Sequence, residues 1–266
     1  MPFRRRARFE LKTEEQFALM RRAGLIVAEA LAAMVGAARP GVTTRELDAV
    51  AERLIRSSGA VPSFLGYHGF PATTCLSVGA EVVHGIPGER VLAEGEVLSL
   101  DCGAVYEGWH GDSALTVVVG GEPGDEVAGL LRACEDAMWA GIAAARDGAV
   151  LGDVSAAVEG GVRAAGAYGI VQGYGGHGIG TSMHMDPLVP NTGPAGRGPE
   201  LVAGMALAIE PMVTLGSPDV VELDDGWTVV TADGSLAAHF EHTVAITPDG
   251  PWVLTAPDGG RGRLGR

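Results

Sequence analysis

The stretch VLSLDCGAV, residues 97–105, places an acid, Asp101, in the middle of an apolar, β-prone run. A carboxylate buried alone is expensive; it needs a partner or stays protonated. The pattern recurs later in the chain. Leu92, Gly95, Leu98 and Asp101 lie over Leu201, Gly204, Leu207 and Glu210 at one constant offset. Ala38-Arg39-Pro40-Gly41, Glu52, Arg56 and Gly59-Ala60 lie over Ala145-Arg146-Asp147-Gly148, Glu159, Arg163 and Gly166-Ala167 in the same way. His110-Gly111-Asp112 resembles His239-Phe240-Glu241, and His84-Gly85-Ile86 resembles His177-Gly178-Ile179. Four matches in one order indicate an internal duplication of roughly 110 residues. The expected fold class is α+β: a pseudo-two-fold repeat with an antiparallel sheet backed by helices on one face.

Helix and strand signals follow the same repeat. Thr13-Glu14-Glu15-Gln16 is a capping-box pattern. Phe17, Met20, Val27, Leu31 and Met34 then recur at helical spacing to about Ala38, where Pro40-Gly41 stops the helix. Thr43-Thr44-Arg45-Glu46 opens a second helix, with Leu47, Val50 and Leu54 on one face, ending at Gly59. TTCLSV, EVVHGI, EVLSLDCGAV and SALTVVVG read as strands. Helices return over Glu126–Ala145 and Asp153–Ala165, and strands return in MALAIEPMV, WTVVT and HFEHTVAIT. The expected layout is a single domain over residues 11–254, with pseudo-repeats at 14–120 and 121–248. Flexible tails are expected over 1–10 and 255–266.

Composition narrows the function. The formal charge of −14 over 266 residues disfavours a broad nucleic-acid footprint, and no DNA partner is expected. No apolar run reaches the roughly 20 residues of a membrane span, and the basic start lacks the apolar core of a secretory signal. The three cysteines, Cys75, Cys102 and Cys134, show no CxxC spacing, which fits a reducing cytoplasm. Arg4, Arg5, Arg6 and Arg8 at the front, and Arg261, Arg263 and Arg266 at the back, read first as solvated ends. A transient ribosome contact is the secondary reading.

Glu210 sits in LALAIEP and Glu241 in HFEHTVAI, both as embedded in apolar sequence as Asp101. One such acid would be assigned a salt bridge. Three, together with Asp112 and His177 and with few cations nearby, are better explained by a shared metal centre. Four carboxylates and one imidazole carry enough charge for two divalent ions, with Mn, Fe, Co and Zn all suited to that donor set. GGHGIGTSMHMDP, residues 175–187, holds two histidines on glycine-rich backbone. His177 and His184 could be two ligands, one ligand and one acid–base group, or two loop histidines.

Taken together, VVHGIP, LDCGAVYEGWHGDSALT, GGHGIGTSMHMDP, AIEPMV and FEHTVAIT resemble type I methionine aminopeptidases of the pita-bread fold, from about Phe9 to Trp252. The resemblance implies removal of the initiator methionine from nascent peptides with a small second residue, by water activated between two divalent ions (Co, Mn, Fe or Zn). By the same resemblance, Asp101 holds one ion, His177 and Glu210 hold the other, and Asp112 and Glu241 bridge them. Glu210 also carries the proton. His84 and His184 bind the substrate's peptide group rather than metal. Phe64, Tyr67, His68, Phe70, Cys75, Met183 and Trp227 surround the methionine side chain. A monovalent cation near Gly79 is a further implied cofactor, although the family usually has Asn there, and often Cys where this chain has Val83. A cytoplasmic monomer is expected.

Two alternatives stand beside this reading. An Xaa-Pro aminopeptidase or prolidase would carry a long N-terminal domain, whereas this fold is expected to begin within about ten residues of Met1. A non-catalytic ribosome-binding relative would have lost metal ligands, and all five are present. The compact run from Asp186 to Glu241 leaves no room for the insertion of a type II enzyme.

Overall fold

The computed structural model describes residues 9–265. The Arg cluster at residues 4–8 lies outside the described residues. The first half runs α1 (Glu14–Ala37), α2 (Thr44–Ser57), β1 (Val61–Pro62), a 3-10 turn at Tyr67–Gly69, β2 (Thr74–Val78), β3 (Glu81–Val83), β4 (Val97–Tyr106) and β5 (Trp109–Val118). The second runs α3 (Asp125–Ala144), α4 (Leu151–Ala165), β6 (Gly169–Ile170), β7 (Gly176–Gly178), β8 (Met185–Val189), β9 (Ala206–Ile209) and β10 (Met212–Thr214). It continues with β11 (Val220–Glu222), β12 (Val229–Thr231), β13 (Ala237–His239), β14 (Glu241–Thr247), β15 (Gly250–Val253) and the short α5 (Arg261–Leu264). Two helices followed by strands occur twice, as the sequence repeat requires.

The helix starts follow their caps. Thr13 and Gln16 form one reciprocal capping box and Thr43 and Glu46 another. Asp153 accepts the Val150 N–H at 3.0 Å, so α4 begins two residues before the acid expected to open it.

A nine-stranded antiparallel sheet runs in the order β1-β4-β5-β14-β9-β7-β8, with β2 also on β4 and β15 also on β14. The two halves meet where β5 pairs with β14, Ala114 opposite Glu241 and Ser113 opposite His242. Side chains alternate across a strand. Leu98, Leu100, Cys102 and Ala104 of β4 therefore join Ile26, Leu31, Leu47 and Ile55 of the first helix pair in one core. Leu207, Ile209, Val244 and Ile246 join Met138, Ile142, Val154 and Val158 of the second pair in another. Both helix pairs thus back one face. Asp101, Asp112, Glu210 and Glu241 belong to the alternate set on the other face.

Three expectations change. MALAIEPMV is two strands, because Pro211 has no N–H to continue a ladder. HFEHTVAIT is likewise interrupted at Phe240. The segment after Leu254 is not a free tail. Arg21 of α1 donates to the carbonyls of Val253, Leu254, Ala256 and Pro257 at 2.6–3.0 Å. Thr255 and Ala256 are buried, and Arg263 pairs with Asp136 and lies over the Trp139 ring. At the front, Glu10 is tied to Lys12 and Thr181, so the described end of the expected basic tail is anchored.

Candidate metal centre

Strand register assembles the acids. Asp101 of β4 and Glu241 of β14 both lie opposite Ala114 of β5, and Asp112 lies opposite Gly103. Gly103 has no side chain because Ser63 and Phe64 pack against it, 2.8–2.9 Å from where its Cβ would stand. Glu210 follows the last residue of β9, where Pro211 breaks the strand. His177 is the centre of β7, flanked by Gly176 and Gly178. A Cβ on either glycine would strike a backbone carbonyl, that of Ala208 or of Asp186. Those glycines serve close approach of strands.

Two hydroxyls fix the backbone around the acids. Thr243 Oγ1 donates to Asp112 O at 2.8 Å and accepts Asp112 N–H at 3.0 Å. Thr116 Oγ1 donates to His239 O at 2.8 Å and accepts His239 N–H at 2.9 Å. One hydroxyl from each half therefore holds backbone of the other half in place near the β5–β14 seam.

Ligating atoms of Asp112, His177 and Glu241 lie within 4.8 Å of one another, and so do those of Glu210, His239 and Glu241. Asp101 belongs to neither triad but lines the same cavity. His177 Nδ1 is 3.0 Å from Gly178 O. A carbonyl can only accept, so the proton sits on Nδ1 and the Nε2 lone pair is free for a metal. His177 Nε2 is 3.4 Å from Glu210 Oε1.

The electrostatics call for cations. Burial, with Glu210 adding repulsion and His239 opposing it, pushes Asp101 up to about 7. Burial and the neighbouring carboxylates hold Asp112 and Glu241 well above the usual range. Burial acts the same way on Glu210, but the facing His239 and His177 bring it below its ordinary value. No Lys or Arg pairs with any of the four among the described residues. Asp101 Oδ1, Asp112 Oδ1 and Glu241 Oε1 are buried without hydrogen-bond partners. Orphaned carboxylate oxygens around an imidazole lone pair fit divalent ions. Cys75 and Cys102, both buried, have thiols pushed well up by burial and the nearby acids, and so remain protonated beside the site.

Two cavities meet here. One, of about 110 Å³, is lined by Phe64, Tyr67, Phe70, Cys75, Met183 and Trp227 above the acids. An apolar cavity of roughly 150 Å³ holds benzene, so one unbranched side chain is a reasonable occupant. His68 is the exception among the expected pocket residues. It is exposed, edge-on to Tyr67, and does not line the cavity. The second cavity is an open cleft of about 320 Å³ whose wall includes Tyr174, Leu188 and Pro190. His84, His184 and Glu210 belong to both. Burial lowers His184 to about 4 and also lowers His84, so both rings are neutral near pH 7. The Tyr67 hydroxyl lies 2.8 Å from His184 Nδ1. Gly79, with φ of 72°, gives its carbonyl to Ala237 N–H at 3.1 Å, so a monovalent cation there would share that oxygen.

Sequence reasoning gave no role to His239 or Tyr174. The signal for His239 was present in the echo of His110-Gly111-Asp112. Tyr174, edge-on to His84, had none.

Residues 18–248 match the family described as metallopeptidase family M24. The chain is 57% identical over 243 residues to methionine aminopeptidase 1 of Mycobacterium tuberculosis (strain CDC 1551 / Oshkosh), covering 89% of this chain and 91% of that protein. The crystal structure of methionine aminopeptidase from Rickettsia prowazekii superposes with a TM-score of 0.91 at 37% identity, covering 94% of this chain and all of that one. Prolidase from Pyrococcus furiosus shares the fold at a TM-score of 0.73 and 22% identity, with 93% of this chain but 65% of that one covered.

Proposed function

The chain belongs to metallopeptidase family M24, and from that membership we propose its activity: metal-dependent removal of the initiator methionine from nascent proteins. It is a hydrolase of the methionine aminopeptidase type, with the pita-bread fold. Divalent metal is required. Asp101 and His177 would hold separate ions, with Glu210 beside His177 and with Asp112 and Glu241 shared. Co, Mn, Fe and Zn all suit these donors. When bound, two such ions supply an acidified water and a Lewis acid for the scissile carbonyl.

The remaining work falls to the chain. The apolar wall of the smaller cavity would take the methionine side chain, with a thioether against Phe64, Phe70, Trp227, Met183 and Cys75. The open cleft would take the peptide that follows. His84 and His184, neutral and at the junction, would donate to the scissile amide and to the oxygen that gains charge. If the Tyr67 hydroxyl, 2.8 Å away, donates to Nδ1, the His184 proton rests on Nε2 and faces the substrate. Glu210, held below its usual value, would accept a proton from water and pass it to the leaving amine. As in the family it resembles, a small second residue would be favoured. With a nascent N-terminus as substrate, the chain would work in the cytoplasm as a monomer, in transient contact with the ribosome. Among the described residues no helix is long and apolar enough to cross a membrane.

The observation that carries this reading is the junction itself: a small cavity walled by Phe64, Phe70, Met183 and Trp227 and a larger cleft share His84, His184 and Glu210 beside the acids. The test compares Met-Ala-Ser with an Xaa-Pro peptide. Cleavage of the first alone, lost in Glu210→Ala, supports it; preference for the Xaa-Pro peptide moves the chain to the prolidase branch.

A further inference from the structure

The second imidazole at the centre, His239, is 2% exposed, and its Nε2 is buried without a hydrogen-bond partner. It stands 3.4 Å from Glu210 Oε2, while His177 Nε2 stands 3.4 Å from Glu210 Oε1. Both separations are long for an N–H···O hydrogen bond, which peaks near 2.9–3.0 Å. They suit a different relation. Two donors each about 2.1 Å from one tetrahedral ion lie about 3.4 Å apart. Glu210 thus offers one oxygen beside each imidazole. Glu241 belongs to both triads, with Asp112 and His177 on one side and with Glu210 and His239 on the other. Thr116 fixes the His239 backbone through both N–H and carbonyl, which gives a ligand the stiffness it needs.

We propose that His239 is a sixth protein ligand, giving its Nε2 to the ion position opposite His177, so that each of the two positions holds one imidazole. This rests on the metal centre proposed above and deepens it. A position served only by carboxylates suits Mn²⁺, whereas an added imidazole shifts preference toward Zn²⁺ and Co²⁺. His239 therefore bears on which metal the centre selects.

The test is calorimetric titration of the metal-stripped full chain with Zn²⁺, Co²⁺ or Mn²⁺ alone, for the parent, His239→Ala and His239→Gln. The parent should take up two ions. Both variants should weaken one of the two by roughly 10–100-fold, more for Zn²⁺ and Co²⁺ than for Mn²⁺. His239→Gln keeps a donor that can reach Glu210, so it decides the matter should His239→Ala fail to fold. Affinities unchanged in the variants, or restored by Gln, would overturn the sixth ligand while leaving the metal centre standing. A parent chain that binds no ion would overturn the centre itself.

Discussion

His110-Gly111-Asp112 and His239-Phe240-Glu241 are the same three-residue device in the two halves of the molecule. In each, a carboxylate follows a histidine by two positions, so both side chains leave one face of the sheet. In the first half the device lies on β5, which runs unbroken from Trp109 to Val118. The His110 ring is taken up there by Ser63, with Nδ1 3.0 Å from Oγ, and only Asp112 joins a metal triad. In the second half the strand is interrupted at Phe240, and a carboxylate, Glu210, stands beside the imidazole. His239 and Glu241 both reach the centre. A duplicated scaffold thus provides two equivalent places for an imidazole. What covers the ring decides whether it is structural or chemical.

The largest effect should come from Glu241→Ala, because that carboxylate serves both triads. Bound metal measured by mass spectrometry should fall toward zero, and turnover with it. If Glu241→Ala keeps two ions, the shared-ligand description is broken. His184→Ala should keep its metals and lose about 10²–10³ in kcat, the scale for one removed oxyanion donor. This separates His184 from His177, whose loss should cost an ion.

Next is the comparison itself. His110→Ala should leave metal affinity at the parent value, against the roughly 10–100-fold weakening expected at His239. Equal effects at the two histidines would erase the distinction between them.

A smaller effect is a melting curve against pH. Burial raises Asp101 to about 7 and holds Asp112 and Glu241 well above their unfolded values near 4. From about pH 4 up to about pH 7 the folded state therefore binds more protons at these acids than the unfolded one, so their contribution to metal-free stability is lost as pH rises. Buried His110, His184 and His242, near 4, act in the opposite sense below about pH 6.5, so the loss is read most cleanly from there upward. The metal-free Tm should fall by about 2 °C between about pH 6.5 and 8. Bound metal should remove or reverse the slope, because it binds the deprotonated carboxylates. The smallest effect expected is from Ser63→Ala, about 1 kcal/mol of stability with no change in metal content.

The helices were legible because their caps and apolar spacing are local. Thr13 with Gln16, and Thr43 with Glu46, announce both starts of the first half. The acids were legible because an Asp or Glu amid apolar residues has few alternatives. What escaped was non-local. Gly176–Gly178 is poor strand sequence, yet it is held as β7 between β8 and β9. The burial of residues 255–256 depends on Arg21, more than two hundred residues away. The methionine cavity was named by resemblance rather than by physics, since aromatic residues in a loop look alike whether they line a site or a core. His239 repeats a pattern visible in the sequence, but whether its ring would meet Ser63's counterpart or a carboxylate depends on where the chain breaks.

The most direct measurement is release of methionine from Met-Ala-Ser by the metal-stripped chain as a divalent ion is titrated back. Turnover should be absent in the stripped protein and should rise with metal to a plateau. Cleavage that persists in the stripped protein, or that never appears once ions are bound, would contradict a metal-dependent methionine aminopeptidase built on these four carboxylates.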